Sequence, residues 1–177
     1  MHDEDGFTLI EMLVVMALAA IIMTLSVAAL RNYWFAQSLS GSVDTVTTQM
    51  RQAQQQAESE SHPLVYGVWF IDVGDATRWG TLQYDPALAS PCREIGKRSF
   101  DTGVQVKDVS FSEDSVRTSV CRSALAGAEI PSAGSAQIAF FYARGTATPG
   151  SITLEQVQTG RSKQLTVTGI TGRVSEQ

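Results

Sequence analysis

The sequence predicts an α+β protein in which a long N-terminal, membrane-spanning helix packs on a small antiparallel β domain of two sheets. Three observations support this fold class. Apolar residues fill the segment 7–30 almost without interruption, an amphipathic helical pattern follows it, and residues 63–177 contain short β-rich segments separated by turn residues. The chain has 177 residues, which suits one domain with an appended helix and is too short for two full-sized domains.

The apolar segment is long enough to cross a membrane as a helix. From Met12, 19 consecutive residues carry no charge, and about 20 apolar residues span the hydrocarbon core of a bilayer. The six residues before the segment include three acids and no Lys or Arg, which excludes a secretory signal peptide with a basic start. Glu11 is an acid inside the segment, and a carboxylate at membrane depth indicates a functional role with a charged partner. The residues of the segment that are not apolar are Thr8, Glu11, Thr24 and Ser26.

A second helical pattern continues from the apolar segment. Hydrophobic residues recur there at spacings of three and four, which is one face of an α-helix. Gly41 and its flanking serines favour a bend, and His62-Pro63 ends the helix because the residue before proline leaves the α region. We interpret this face as one that packs on the protein's own domain rather than as a coiled-coil seam. It consists of Leu39, Val43, Val46, Met50, Ala53 and Ala57.

The remainder of the chain is predicted to be β-structure. Short β-rich segments follow one another without helical patterns between them, and turn residues such as Gly74-Asp75 and Pro149-Gly150 separate them. Such a series is typical of small antiparallel sheets. The predicted strands are Leu64–Ile71, Trp79–Tyr84, the region from Val104 to Phe111, Val116–Cys121, Ala136–Tyr142, Ser151–Val157 and Gln164–Thr168.

Cys92 and Cys121 are the two cysteines of the chain, and 28 residues lie between them. If the domain lies outside the cytoplasm, as the membrane segment implies, they form a disulfide; the alternative is a pair of buried free thiols. Closing this loop stabilises the fold by about 3–4 kcal/mol in the chain-entropy model. Neither His2 nor His62 is near a cysteine in the sequence and there is no Cys-x-x-Cys motif, so we predict no metal site.

Residues Gly6-Phe7-Thr8-Leu9-Ile10-Glu11 resemble the processing site of type IV pilins and type II secretion pseudopilins. The resemblance implies that a membrane prepilin peptidase cuts between Gly6 and Phe7, and that Phe7 is N-methylated. It also implies that Glu11 pairs during assembly with the N-terminal ammonium of a neighbouring subunit. In a low dielectric, such a pair offsets the desolvation of both charges. Leaders of this family carry Lys or Arg before the glycine, whereas this leader is acidic.

The C-terminal third is similar to the GspH/FimT class of minor pilins and pseudopilins. The similarity rests on Phe-Phe-Tyr-Ala-Arg-Gly-Thr-Ala at 140–147, Pro-Gly-Ser-Ile-Thr-Leu at 149–154, Leu-Thr-Val at 165–167 and Gly-Arg-Val at 172–174. In this class a strand, a glycine turn, another strand and a final strand containing Gly-Arg close the domain. The glycines of these motifs, Gly145, Gly150 and Gly172, therefore have a structural explanation as turn residues.

Some FimT-like proteins bind DNA through a C-terminal Gly-Arg-x-Arg motif, which makes DNA binding in natural transformation the alternative function. This chain has Gly172-Arg173-Val174-Ser175, without the second arginine, and the segment 144–177 has four cations against two acids, a local charge of +2. That is little positive charge for a protein that contacts several phosphates. The candidate DNA contacts are Arg144, Arg161, Lys163 and Arg173.

The overall charge of the chain also argues against DNA binding as its main function. The chain has 13 Lys and Arg against 18 Asp and Glu, a net charge of −5, which is unusual for a dedicated nucleic-acid binder. Three of these acids lie in the leader, so 13 cations against 15 acids leave −2 after cleavage, and residues 62–177 hold 11 of each sign. The acidity is therefore largely a property of the leader, and the β domain is neutral.

We interpret the chain as a structural subunit, a minor pilin or pseudopilin, and not as an enzyme with a cofactor. The sequence has no G-x-S-x-G, H-E-x-x-H, P-loop or G-x-G-x-x-G motif. The expected partners are prepilin peptidase, other pilins or pseudopilins, the inner-membrane assembly platform and membrane lipid. A surface pilus, a secretion pseudopilus and a DNA-uptake pilus are all compatible with the sequence.

The predicted location is the inner membrane, crossed once, with the C-terminal domain outside the cytoplasm, and then the filament. The predicted divisions of the chain are a leader at 1–6, the membrane half of the helix at 7–30, its amphipathic half at 31–62 and the β domain at 63–177.

Overall fold

The computed structural model describes residues 9–60, 64–71, 78–112, 114–126 and 136–176, except for the side chains at 25, 28 and 29. Its first element, α1, is one helix of 51 residues, Leu9–Ser59, about 77 Å long at 1.5 Å per residue. The helix continues without interruption through Gly41, where the sequence favours a bend. The expected helix end at His62-Pro63 lies outside the described residues.

The described residues also contain eight strands, which form two antiparallel sheets. The strands are β1 Val65–Ile71, β2 Arg78–Tyr84, β3 Cys92–Ser99, β4 Val104–Phe111, β5 Ala136–Phe141, β6 Gly150–Gln156, β7 Arg161–Val167 and β8 Val174–Glu176. The first sheet has the order β3-β2-β1-β5 and the second β4-β6-β7-β8, so each has four strands. The predicted α+β class with two antiparallel sheets is confirmed.

The main core lies where α1 meets both sheets. All six residues of the predicted apolar face, from Leu39 to Ala57, are at most 3% exposed. They belong to one buried cluster with Val68 and Phe70 of β1, Leu154 of β6 and Leu165 of β7. The face therefore packs on the protein's own domain, as the spacing predicts, and its burial contributes about 25 cal/mol per Å² of apolar surface.

The prediction of a strand at Val116–Cys121 is wrong, because these residues belong to a second helix, α2 (Ser115–Ala126). Asp114 is its N-cap. The Asp114 carboxylate accepts a hydrogen bond of 3.3 Å from the backbone N–H of Arg117, and its carbonyl accepts one of 2.8 Å from Thr118. An aspartate in this position satisfies backbone donors that the first helical turn leaves free, and so favours a helix over a strand.

α2 covers the outer face of the first sheet. Cys121 and Leu125, four residues apart on this helix, are buried with Trp69, Leu82 and Phe140 in a second core cluster. Alternate residues of β1 and β5 thus face α1 and α2, and the first sheet is covered on both sides.

β3 has no counterpart among the predicted strands. It contains four charged residues, and most of its positions are exposed because it lies at the edge of the first sheet. It therefore lacks the alternation of buried and exposed residues by which sequence patterns identify strands. The other predicted strands, apart from Val116–Cys121, correspond to β1, β2 and β4–β7.

Candidate assembly surface

The N-terminal part of α1, residues 9–34, exposes apolar side chains along its whole length; we call it the assembly segment. Those of its large apolar side chains that the structure describes are between 49% and 79% exposed, with Leu9 the most exposed and Leu30 the least. A helix that presents apolar residues on all of its faces is stable only in an apolar environment, either lipid or other helices. This surface is the strongest indication of function in the described structure.

The assembly segment gives way to the buried part of α1 at a set of polar contacts. The side-chain amide of Gln156 donates hydrogen bonds to Ser38 Oγ at 2.8 Å and to the carbonyl of Thr102 at 3.3 Å. Ser42 Oγ donates to the Asp101 carboxylate at 3.3 Å and accepts from the Asp101 backbone N–H at 3.2 Å. The turn between β3 and β4 therefore holds the helix where it enters the domain.

Gly41 lies at this junction, next to Ser42. A Cβ atom on Gly41 would lie 3.4 Å from the Asp101 carboxylate, which is an ordinary contact distance, so the docking of the turn does not require a glycine here. The sequence marks residues 40–42 as unusual for a helix interior, but it does not reveal that their role is docking.

Glu11 lies in the first turn of α1, and its side chain is exposed. Residues Gly6 and Phe7 lie outside the described part of the chain. The positive end of a helix dipole stabilises an acid in the first turn, so Glu11 suits its place at the start of the described helix.

Within the described residues, no helix is both long enough and apolar enough to count as a membrane span.

The Gly172-Arg173 segment docks on α1. The side-chain amide of Gln54 donates hydrogen bonds to the carbonyl of Thr171 at 3.2 Å and to the Glu58 carboxylate at 3.0 Å. Gly172 has φ +59°, and a Cβ on it would lie 2.8 Å from the carbonyl oxygen of Gly145. Because L side chains rarely adopt this φ and a Cβ would clash, the glycine is required on structural grounds.

The four candidate DNA contacts do not form one patch. Arg144 and Arg173 flank the contact between Gly145 and Gly172, whereas Arg161 begins β7. Val167, at the other end of β7, pairs with Val174, which follows Arg173. Arg161 lies six residues before Val167, which is about 20 Å along the strand. Lys163 Nζ is paired with the Glu176 carboxylate at 2.6 Å. The geometry therefore gives the DNA alternative no support, and those contacts stay predictions.

Cys92 of β3 and Cys121 of α2 form a disulfide, with their Cα atoms 5.2 Å apart. The predicted pairing is therefore confirmed, and the alternative of free thiols is not. Both residues are buried in the second core cluster. The bond attaches α2 to the edge of the first sheet.

A polar cluster beside the disulfide has no counterpart in the sequence predictions. The guanidinium of Arg117 lies 5.4 Å from the ring centre of Tyr84 and 5.5 Å from that of Tyr142, and Arg117 Nη1 is paired with the Asp114 carboxylate. The Tyr142 hydroxyl donates to the same carboxylate at 2.9 Å. These residues are brought together from two helix positions and two strand ends, so spacing in the sequence could not identify them.

The cluster changes the protonation of its members. Burial alone would raise the pKa of Asp114, but hydrogen bonds from Arg117 and Tyr142 outweigh burial and lower it. Burial, with the hydrogen bond to Asp114, raises the pKa of Tyr142 to about 12. Both shifts favour the ionic form of Asp114 and the neutral form of Tyr142, which is the combination that the hydrogen bonds need.

Two family models match the chain. Residues 1–27 match the prokaryotic N-terminal methylation motif, and residues 42–172 match the type II transport protein GspH. Among solved structures, the minor pseudopilin EpsH from the type 2 secretion system of Vibrio cholerae is similar, with a TM-score of 0.53, 15% identity, and coverage of 79% of this chain and 96% of that one. At this identity the likeness shows the fold alone. No curated protein sequence matches.

Proposed function

The chain belongs to the family of the type II transport protein GspH, and from this premise we propose that it is a minor pseudopilin, a structural subunit of a type II secretion pseudopilus. In this proposal the chain is cut after Gly6, methylated at Phe7 and built into the filament through the assembly segment. The methylation motif at residues 1–27 supports the processing steps. The role is structural rather than catalytic, as expected of a subunit of this family.

The exposure along α1 is the observation that carries the proposal. The large apolar side chains described up to Trp34 are exposed, whereas from Leu39 onwards one face of the same helix is buried by the domain. Each exposed apolar side chain gains about 1.5–3 kcal/mol when it is removed from water. Lipid before assembly and neighbouring helices after assembly would supply this gain.

The same division supports the proposed location. We place residues 7–30 in the inner membrane, residues 31–62 as the part of the helix that leads into the domain, and residues 63–177 outside the cytoplasm. The Cys92–Cys121 disulfide favours an oxidising compartment for the domain. The partners that this location implies are prepilin peptidase, other pseudopilins and the inner-membrane assembly platform.

Cleavage after Gly6 can be tested with Gly6→Leu. A side chain at this position should block the close approach of the peptidase, so the uncut precursor should accumulate in the membrane. Mass spectrometry of the N-terminus distinguishes the cut and uncut forms. Gly41→Ala is the matched control, because a Cβ there meets only the tip of Asp101 at ordinary contact distance. Normal processing of Gly6→Leu would refute the assignment.

The pairing of Glu11 can be tested with Glu11→Ala. The variant should be processed normally but should not enter filaments, because the ammonium of its neighbour would lose the charge that offsets its desolvation. Asp44→Ala, which removes another exposed acid of α1, is the control and should assemble. The measurement is the amount of each variant that is cross-linked to other subunits in filaments sheared from the cells. Wild-type incorporation of Glu11→Ala would contradict the role of Glu11.

A further inference from the structure

A groove runs along α1 on the side of the β2–β3 ribbon, and the assembly proposal makes no use of it. It consists of two cavities of about 260 and 230 Å³ that share Arg98 in their linings. The ribbon contributes Thr81, Ile95 and Gly96 to the floor. We call this surface the β3 groove.

The α1 wall of the β3 groove is polar but uncharged. Its residues recur at spacings of three and four and thus follow one face of the helix, beside the buried apolar face. Amide and hydroxyl side chains both donate and accept hydrogen bonds, which suits the alternating N–H and C=O groups of a peptide backbone. The polar residues of the wall are Ser42, Thr45, Gln49, Gln52 and Gln56, and Ala53 also lines the groove.

The other side of the groove is an open sheet edge. Among the described strands, β3 pairs only with β2, so its outward N–H and C=O groups have no strand partner. The register shifts at Ile95: Thr81 pairs with Gly96 and Leu82 with Glu94, which leaves Ile95 without a register partner. The Ile95 side chain is 53% exposed and lines the groove.

The charge of the groove is positive along this edge. Arg98 lines both cavities. Arg93 and Arg98 pair in register with Gln83 and Trp79, whose side chains are on the α1 side of the sheet, so Arg93 lies on the same side as Arg98, next to the groove. Within the described residues, neither arginine forms an ion pair. The acid in the lining, Asp101, is engaged by Ser42.

We propose that the β3 groove binds an extended, acidic segment of a partner protein, which adds to the edge of β3 and places carboxylates on Arg98 and Arg93. The open edge supplies backbone hydrogen bonds, Ile95 supplies an apolar contact, and the two arginines select for acid. The uncharged α1 wall neither repels such a segment nor attracts the closely spaced phosphates of DNA. A partner of this kind is distinct from the helices that contact the assembly segment.

A site-specific photo-cross-linker tests the proposal in cells that assemble the filament. It is placed at Ile95 and, as control, at Val157, which is 54% exposed in the turn between β6 and β7. We expect Ile95 to capture a partner protein through an acidic peptide identified by mass spectrometry, and Val157 not to capture that peptide. Capture at Ile95 of lipid, of DNA, of a second copy, of a segment without acids, or of nothing would overturn the proposal.

A binding experiment with the full chain in detergent tests the charge selection without need of processing or assembly. The probe is a fluorescent peptide of alternating Glu and Thr, and the comparison peptide has Gln in place of Glu. Arg98→Glu should weaken binding about ten-fold, and salt should weaken binding by the wild type. The control Arg161→Glu reverses an exposed charge on β7 and should have no effect.

If Arg98→Glu does not fold, Arg93→Glu on the same face replaces it. The proposal would be refuted if the two peptides bound equally, or if Arg161→Glu weakened binding as much as Arg98→Glu. It would also be refuted if the protein preferred duplex DNA or anionic vesicles to the acidic peptide and this preference depended on Arg98. If Glu11→Ala still assembled, only the proposal about assembly would be contradicted. The assembly proposal and the groove proposal can therefore fail separately.

Discussion

Asp114 has several structural functions. Its side chain caps the first turn of α2, pairs with Arg117 and accepts the Tyr142 hydroxyl. The side chain is 18% exposed, so these bonds form in a place where water competes only in part. A single carboxylate therefore links the start of α2 to the end of β5, the strand that precedes Tyr142.

Replacement of Asp114 by alanine should lower the free energy of unfolding by about 1–2 kcal/mol at pH 7, because the helix loses its cap and Arg117 loses its partner. The pKa of Asp114 is lowered in the folded protein. Its contribution is therefore complete above the unfolded value of about 4 and is lost as the pH falls through the folded value. Urea unfolding at pH 7 and pH 3 measures both effects.

The control for this variant is Asp108→Ala, which removes an exposed acid of β4. It should change the stability by less than about 0.5 kcal/mol at either pH. An equal loss in the two variants would mean that the cap and the pair at Asp114 contribute nothing specific.

Tyr142 should remain protonated to unusually high pH. Burial and the hydrogen bond to Asp114 raise its pKa to about 12. The folded state therefore holds the phenolic proton more tightly than the unfolded chain, and this contribution to stability is lost as the pH rises from about 10 to about 12. Absorbance titration of the wild type against Tyr142→Phe isolates this group. A Tyr142 transition near pH 10 in the folded protein would contradict the prediction.

At the scale of the element, α1 has two halves of opposite character, and two methionines compare them directly. Met50 is fully buried and Met16 is 68% exposed. We expect Met50→Ala to lower the free energy of unfolding of the domain by about 2–5 kcal/mol, because it leaves a cavity in the main core. Met16→Ala should change this free energy by less than about 0.5 kcal/mol. Thermal unfolding of both variants in detergent is the measurement, and similar losses would contradict the division.

The disulfide should be the main covalent restraint on α2. The double substitution Cys92→Ser with Cys121→Ser should lower the free energy of unfolding by about 3–4 kcal/mol, because the unfolded chain regains the freedom of a closed loop. Reduction of the wild type should give a similar loss, which controls for the serine side chains. Unchanged stability in both cases would show that packing alone holds α2 in place.

The elements differ in how far the sequence could predict them. The buried face of α1 was predictable in full, since a periodicity of 3.6 over 19 residues leaves one interpretation. α2 was not, because it is short and its buried positions, Thr118, Cys121 and Leu125, include a polar residue and a cysteine. β3 was not predicted either, since an edge strand with four charges has no periodic pattern to detect.

The candidate site was predictable only where local chemistry defines it. The assembly segment follows from composition, and the cysteine pair follows from count and compartment. The contacts of Ser42 with Asp101 and of Gln54 with Thr171 join residues that are 59 and 117 positions apart. Such contacts depend on how the sheets are placed against α1, and no local pattern encodes that placement.

At the scale of the whole molecule, the domain should fold without the assembly segment. A chain that begins at Asn32 keeps Ser38, Ser42 and the buried face of α1, so its free energy of unfolding should be within about 0.5 kcal/mol of that of the full chain. A chain that begins at Val46 loses Leu39 and Val43 and should be less stable by several kcal/mol. Equal stability of the two truncated chains would contradict the proposed boundary.

The continuity of α1 also has a mechanical consequence. A filament that advances or retracts would pull on each subunit along the axis of this helix. The buried face resists such a pull over 19 residues, from Leu39 to Ala57, or about 27 Å. Because these contacts are loaded in shear, they must all slip together rather than break one after another. The helix thus transmits axial force along the subunit without being pulled out of the domain. The domain should stay folded under axial loads that would detach a terminal strand from the edge of a sheet.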